Sequence, residues 1–220
     1  SFYNETAGRP IYPTPTVAVV GLLEPWEHFA VSHFLENDLA ILLLGEAREE
    51  LGGSEWLALR RGLEAGPPPR VDLTHEVRLH GLLAEGVRAG VVLSAHDVSS
   101  GGLAVALAEC SFAGARGVKI GCEVMLQEPQ RLDALLFGES TGRVIVTSRD
   151  PERLLCLAQE RRVPALRVGT TGGSRLRIAP WRGPSWIDAP LERLASIWES
   201  ALPRRLATDE ASGLLPSEVV

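Results

Sequence analysis

The residues best placed to do chemistry stand together in the stretch Asp97-Val98-Ser99-Ser100-Gly101-Gly102. A carboxylate at Asp97 can orient a cation or a hydroxyl. Ser99 or Ser100 can accept from the free N–H groups of a helix's first turn, and Gly101 and Gly102 let a phosphate or a neighbouring backbone come close. The same pattern also describes a plain capped helix, so the turn reads either as an anion cradle or as a cap. A second group, Glu139, Ser140 and Thr141 in LFGESTG, places a carboxylate and two hydroxyls on another turn. His96 adjoins Asp97, but a histidine at a strand end reads as a packed or hydrogen-bonded structural residue, as do His28, His33, His75 and His80.

The elements that must position these residues follow from hydrophobic spacing. Val91–Leu93 is a short apolar run predicting a buried strand, and Leu103, Ala106, Leu107 and Cys110 follow at helical spacing. Ahead of them, Leu79, Leu82, Leu83, Gly86 and Val87 predict an amphipathic helix. The runs 17–23, 38–44, 118–125 and 143–147 predict strands, and 129–137 a short helix. Gly52 and Gly53 interrupt what could be one helix, and the prolines at 67–69 form a stiff connector. Asp150-Pro151 opens a helix running to about Arg162, because aspartate caps it and proline needs no N–H there. TGGS, flanked by 166–170 and 175–179, predicts a hairpin. Pro190 opens a last helix, and the polar residues from Thr208 predict a frayed end. Strand 17–23 has nothing before it to pair with and is expected to belong to a larger sheet. Irregular alternation with a hairpin points to an α+β mixed sheet with helices packed on it.

The 220 residues carry a formal charge of -6, with 45% hydrophobic and 23% charged residues. That composition is ordinary for a globular domain and lacks the basic stripe of a nucleic-acid surface. Nothing in it resembles a membrane span or a signal segment, so the expected location is cytoplasmic, with neither nucleic acid nor membrane as partner. Cys110, Cys122 and Cys156 are too dispersed for a zinc knuckle or a disulfide framework, and their apolar surroundings predict three buried thiols. Lys119 is the sole lysine, so arginine must grip any phosphate.

Taken in order, SFYNET, PTP with the run to Gly21, LGGSEW, AHDVSSGGLAVALAE, LFGES and GRVIV resemble the second half of the phosphoribosylformylglycinamidine synthase subunit II family across roughly Ser1–Val168. That family is similar in fold to aminoimidazole ribonucleotide synthetase, selenophosphate synthetase and thiamine-monophosphate kinase. The resemblance implies a division into 1–24, the tail of an N-type α/β, ATP-binding domain; 25–206, an aminoimidazole ribonucleotide synthetase C-terminal-like domain; and 207–220, a flexible tail. It implies an ATP- and magnesium-dependent ligase that phosphorylates the amide oxygen of formylglycinamide ribonucleotide and lets glutamine-derived ammonia displace the phosphate. A glutaminase subunit and a small accessory subunit are its expected partners.

On the same resemblance, Ser1 matches a substrate-contacting serine, while the catalytic histidine and phosphate lysine belong to a first half that precedes this stretch. The chain is therefore expected to be a piece of a longer enzyme and inactive by itself. Asp97, Ser99, Gly101, Gly102, Glu139 and Ser140 would form an auxiliary nucleotide or phosphate site, with Thr141 departing from the glutamine frequent there. Two alternatives stay open: another ATP-dependent enzyme of this fold group, or a non-catalytic nucleotide-binding or assembly module. An unpaired strand at 17–23 would also favour a homodimer.

Overall fold

A computed structural model describes residues 5–6, 8–10, 16–23, 28–112, 117–127, 129 and 131–212. Ser1 and Asn4 of the sequence motif lie outside the described residues. Strands β1 (Glu5–Thr6) and β2 (Arg9–Pro10) form a small antiparallel ribbon. Seven further strands make one sheet: β3 (Ala40–Leu44), β4 (Ser94–Asp97), β5 (Cys122–Leu126), β6 (Val144–Ser148), β7 (Ala165–Thr171), β8 (Arg175–Pro180) and β9 (Ile187–Pro190). Their order is β4-β6-β3-β7-β5-β8-β9, antiparallel throughout except for β5 beside β8.

Helices α2 (Leu73–Arg88) and α5 (Pro151–Glu160) cover one face, over β4, β6 and β3, with Leu79, Leu82, Leu154 and Ala158 packed on Leu42, Leu44 and Val146. Helix α3 (Gly102–Phe112), with α4 (Leu132–Phe137) and α6 (Leu191–Ser212), covers the other face, where Leu103 and Leu107 meet Ile41, Ile145, Val124 and Ile178. Strand β3 is therefore buried on both faces, which is why it reads as the unbroken apolar run AILLL. Strand β5 is covered on one face only and alternates, with Glu123 and Met125 exposed. No helix among the described residues is long and apolar enough to cross a membrane.

Several expectations are corrected. The strands flanking TGGS do not close a hairpin, because β5 lies between them and pairs with both. The glycine turn instead arches over Gly121, whose N–H donates to the Gly173 carbonyl (2.8 Å) and whose carbonyl accepts from the Gly172 N–H (2.7 Å). A Cβ at Gly121 would stand 2.3 Å from the Arg175 carbonyl, so the crossing needs glycine. Gly169 answers the same need in β7, beside a register shift against Ile41 and Leu42.

Residues 16–23 form no strand, and Val17, Val19, Val20 and Leu22 are exposed. The strand expected at Val91–Leu93 starts at Ser94, because the N–H groups of Val91 and Val92 both donate to the Gly86 carbonyl and close the end of α2. That shift puts His96 and Asp97 on strand β4 itself. Cys156 is exposed: α5 turns Leu154 and Ala158 inward, four residues apart, and a residue midway between them faces out. Strand β9 had no counterpart among the sequence expectations, and α6 continues through Ser212, past Thr208.

Candidate functional site

Strand β4 ends at Asp97, and the chain turns through Val98–Gly101 into α3. Val98 N–H donates to the Arg143 carbonyl (2.9 Å), which ties this turn to the segment leading into β6. Asp97 is open to solvent, with 74% of its side-chain surface exposed, and its nearest ionic neighbour is His96 Nδ1 at 3.9 Å. His96 is held by its own surroundings: Nδ1 lies 2.7 Å from the Asp97 carbonyl oxygen and Nε2 3.5 Å from Glu109 Oε2.

The two sequence clusters converge. Asp97, Ser99, Glu139, Thr141, Gly142 and Arg143 line one cavity of about 440 Å³, against Glu76 and His80 of α2. Glu139 is the link between them: its Oε1 accepts from the Gly101 N–H (2.8 Å) at the start of α3 and from the Glu55 N–H (2.9 Å) at the start of α1 (Glu55–Arg61). A carboxylate at these positive helix ends is electrostatically favourable. Gly102 serves close approach to backbone, since at φ +73° its Cβ would lie 2.6 Å from the Cα of Phe137. Ser140 is fully buried, and its hydroxyl donates to the Arg48 carbonyl (3.3 Å), facing the 46–52 loop. The structure thus brings Asp97, Ser99, Gly101, Gly102 and Glu139 together and turns Ser140 into the wall behind them.

The sequence reading did not single out Arg143, which is only 2% exposed and directly precedes the fully buried strand β6. Its Nε donates to the Ser140 carbonyl (3.2 Å) and its Nη2 to the Gly138 carbonyl (2.5 Å). Burial pulls its pKa down to about 10, with the Glu50 charge acting in the opposite direction. A charge opening the run RVIVTS was the available signal. Nearby, Trp56 of α1 stacks flat on Phe137, ring centroids 4.3 Å apart. Three carboxylates, Glu76, Asp97 and Glu139, share the cavity wall, although no three His, Cys, Asp or Glu side chains among the described residues gather closely enough to hold a metal by themselves.

Residues 36–179 match the family model described as AIR synthase related protein, C-terminal domain. The phosphoribosylformylglycinamidine synthase subunit PurL of Anaeromyxobacter sp. (strain K) is 42% identical over 219 residues, covering 96% of this chain and 28% of that protein. Among solved structures, Thermotoga maritima PurL complexed with FGAR superimposes with a TM-score of 0.64 at 21% identity, over 77% of this chain and 30% of that one. The same T. maritima protein complexed with ATP gives a TM-score of 0.60 at 22% identity, over 77% and 28%. This chain therefore spans less than a third of the curated relative it matches. With its sheet order, its two helical layers and its matched span, the chain belongs to the AIR synthase related family, of which it carries the C-terminal domain.

Proposed function

We propose that the chain is the portion of a purine-biosynthesis ligase that supplies an auxiliary nucleotide pocket, in an enzyme converting formylglycinamide ribonucleotide, ATP and glutamine-derived ammonia to formylglycinamidine ribonucleotide. The observation that carries this reading is the 42% identity to a phosphoribosylformylglycinamidine synthase subunit over 96% of the chain. In that reaction the γ-phosphoryl group of ATP passes to the amide oxygen with release of ADP, and ammonia then forms the new C–N bond as phosphate leaves. The reading places the catalytic histidine and the phosphate lysine in the first half of the enzyme, which precedes this portion, and gives Ser1 a contact with the substrate. It divides the chain at 24 and 206, places the enzyme in the cytoplasm, and pairs it with a glutaminase subunit and a small accessory subunit. A solved PurLQS structure from T. maritima supports the pairing with other subunits.

Within the cavity, three carboxylates would repel bare phosphate, so the ligand proposed is a nucleotide that brings its own magnesium. Magnesium is ordinarily held by one or two carboxylates together with substrate phosphates, which fits a wall that has no complete metal cage. Asp97, exposed at the strand end, would face the ion, and the Ser99 hydroxyl would face the phosphates. Gly101 N–H is already engaged by Glu139, so the phosphates would meet hydroxyl rather than backbone donors there.

The test uses the full-length protein with ammonia, ATP and formylglycinamide ribonucleotide. ADP release should depend on the ribonucleotide and match amidated product one for one. Asp97→Ala should lower the MgADP bound per chain. ATP hydrolysis indifferent to the ribonucleotide would refute the ligase reading, and unchanged nucleotide stoichiometry in Asp97→Ala would refute the auxiliary pocket.

A further inference from the structure

We infer that Arg143 is a positioning residue: its guanidinium fixes the 138–142 turn and so sets the Glu139 carboxylate where the N–H groups of Gly101 and Glu55 meet it. The two carbonyls that Arg143 grips, those of Gly138 and Ser140, flank Glu139 on either side. A guanidinium presents its donors in a rigid plane, so one side chain fixes both peptide groups and, with them, the direction in which residue 139 leaves the backbone. The Arg143 main chain also holds the facing turn, because its carbonyl accepts from the Val98 N–H. One buried residue thereby ties both halves of the cavity.

The charge on Arg143 is kept for this geometry rather than for an ion pair. Its Nη1 is buried without a protein hydrogen-bond partner, as is Oε2 of Glu50, the carboxylate whose charge acts against, without cancelling, the effect of burial on the guanidinium. The other oxygen of Glu50 accepts from the Arg70 N–H (3.2 Å), and the Arg70 carbonyl accepts from the Thr141 hydroxyl (2.7 Å). The counter-charge is thus anchored to the same turn. A lysine would retain the charge but not the planar fork, and a glutamine neither the charge nor the reach. Neither side-chain hydrogen bond of Arg143 is to Gly101 or Glu55, and the hydrogen-bonded route from its turn to those amides runs through Glu139.

The inference deepens the nucleotide-pocket reading and rests on it only for its effect on binding. Hydrogen exchange followed by mass spectrometry on the full-length protein tests it, using Arg143→Lys, Arg143→Gln, Glu139→Ala and the Arg143→Lys/Glu139→Ala pair. Peptides holding Gly101 and Glu55 should exchange roughly tenfold faster in each single variant, with β3 and β6 as protected as before. The paired variant should add nothing further, because both changes break one chain of contacts. Wild-type exchange at Gly101 and Glu55 in both Arg143 variants, or additive effects in the pair, would overturn the inference. Loss of protection throughout the chain in both Arg143 variants would overturn it too, by making Arg143 a folding residue only. MgADP titration of the same proteins should show about tenfold weaker binding in Arg143→Lys. Should the wild type and Asp97→Ala bind MgADP equally, the nucleotide reading falls, while the exchange result still decides the role of Arg143.

Discussion

Gly102→Ala, set against Gly173→Ala, separates two costs that the structure assigns to the start of α3. Both glycines have φ +73°, so an alanine at either site carries the same left-handed backbone penalty, about 1–2 kcal/mol. Their surroundings differ. A Cβ at Gly173 meets nothing within 4 Å, whereas at Gly102 it would lie 2.6 Å from both the Cα and the carbonyl carbon of Phe137 and 2.8 Å from the Gly138 oxygen. That backbone has little freedom to retreat, since Gly138 N–H donates to the Ala134 carbonyl (2.9 Å) and the Gly138 carbonyl is gripped by Arg143. Overpacking of a fixed neighbour adds about 1–3 kcal/mol, so Gly102→Ala should cost about 2–5 kcal/mol and Gly173→Ala about 1–2. Urea denaturation followed by far-UV circular dichroism reads the difference as a shift in midpoint at unchanged slope. Equal losses in the two variants would show that α3 does not need the close approach of residues 137–138.

Three further outcomes follow from buried groups. Thr171, 2% exposed, donates from Oγ1 to the Glu36 carbonyl (2.8 Å) and accepts from the Leu39 N–H (3.0 Å), so Thr171→Val should cost about 1–3 kcal/mol in urea denaturation while Thr171→Ser stays near wild type. A neutral Thr171→Val would refute that bridge between the chain entering β3 and the end of β7. Burial raises the pKa of Cys110 and pushes that of Cys122 up to about 12, so at pH 8 a thiol-specific reagent should label Cys156 alone in the folded protein and all three cysteines in urea. The unfolded Cys122 thiol loses its proton from about pH 9.0 while the folded one keeps it, so this group's contribution to stability is complete below 9.0 and is lost between 9.0 and about 12. Rapid native labelling of Cys110 or Cys122 would refute the packing of α3 on β5.

What the sequence disclosed depended on range. Helices α2, α3 and α5 were legible because their inward residues recur locally, and the start of α5 because its cap is local, Asp150 accepting from the N–H of Arg153. Strand β3 was legible because burial on both faces leaves an unbroken apolar run. The TGGS turn misled because a glycine turn between two strands has the same local signature whether the strands pair or part. Only the distant Gly121, with no room for a side chain beneath the turn, shows that β5 enters between them.

The site divides along the same line. Asp97 and the two glycines could be read as a group because they are contiguous, and the choice between cap and cradle stayed open because its answer lies 38 residues away, in Glu139. The structure gives that choice a third form. The N–H of Gly101 is satisfied by an internal carboxylate, the same oxygen binds the start of α1, and the hydroxyl and carboxylate of Ser99 and Asp97 remain on the open side. A ligand in this cavity would therefore meet a turn already held in shape from within. Its binding would depend on residues such as Glu139 and Arg143, whose main work is to fix the wall, as much as on the groups that face it.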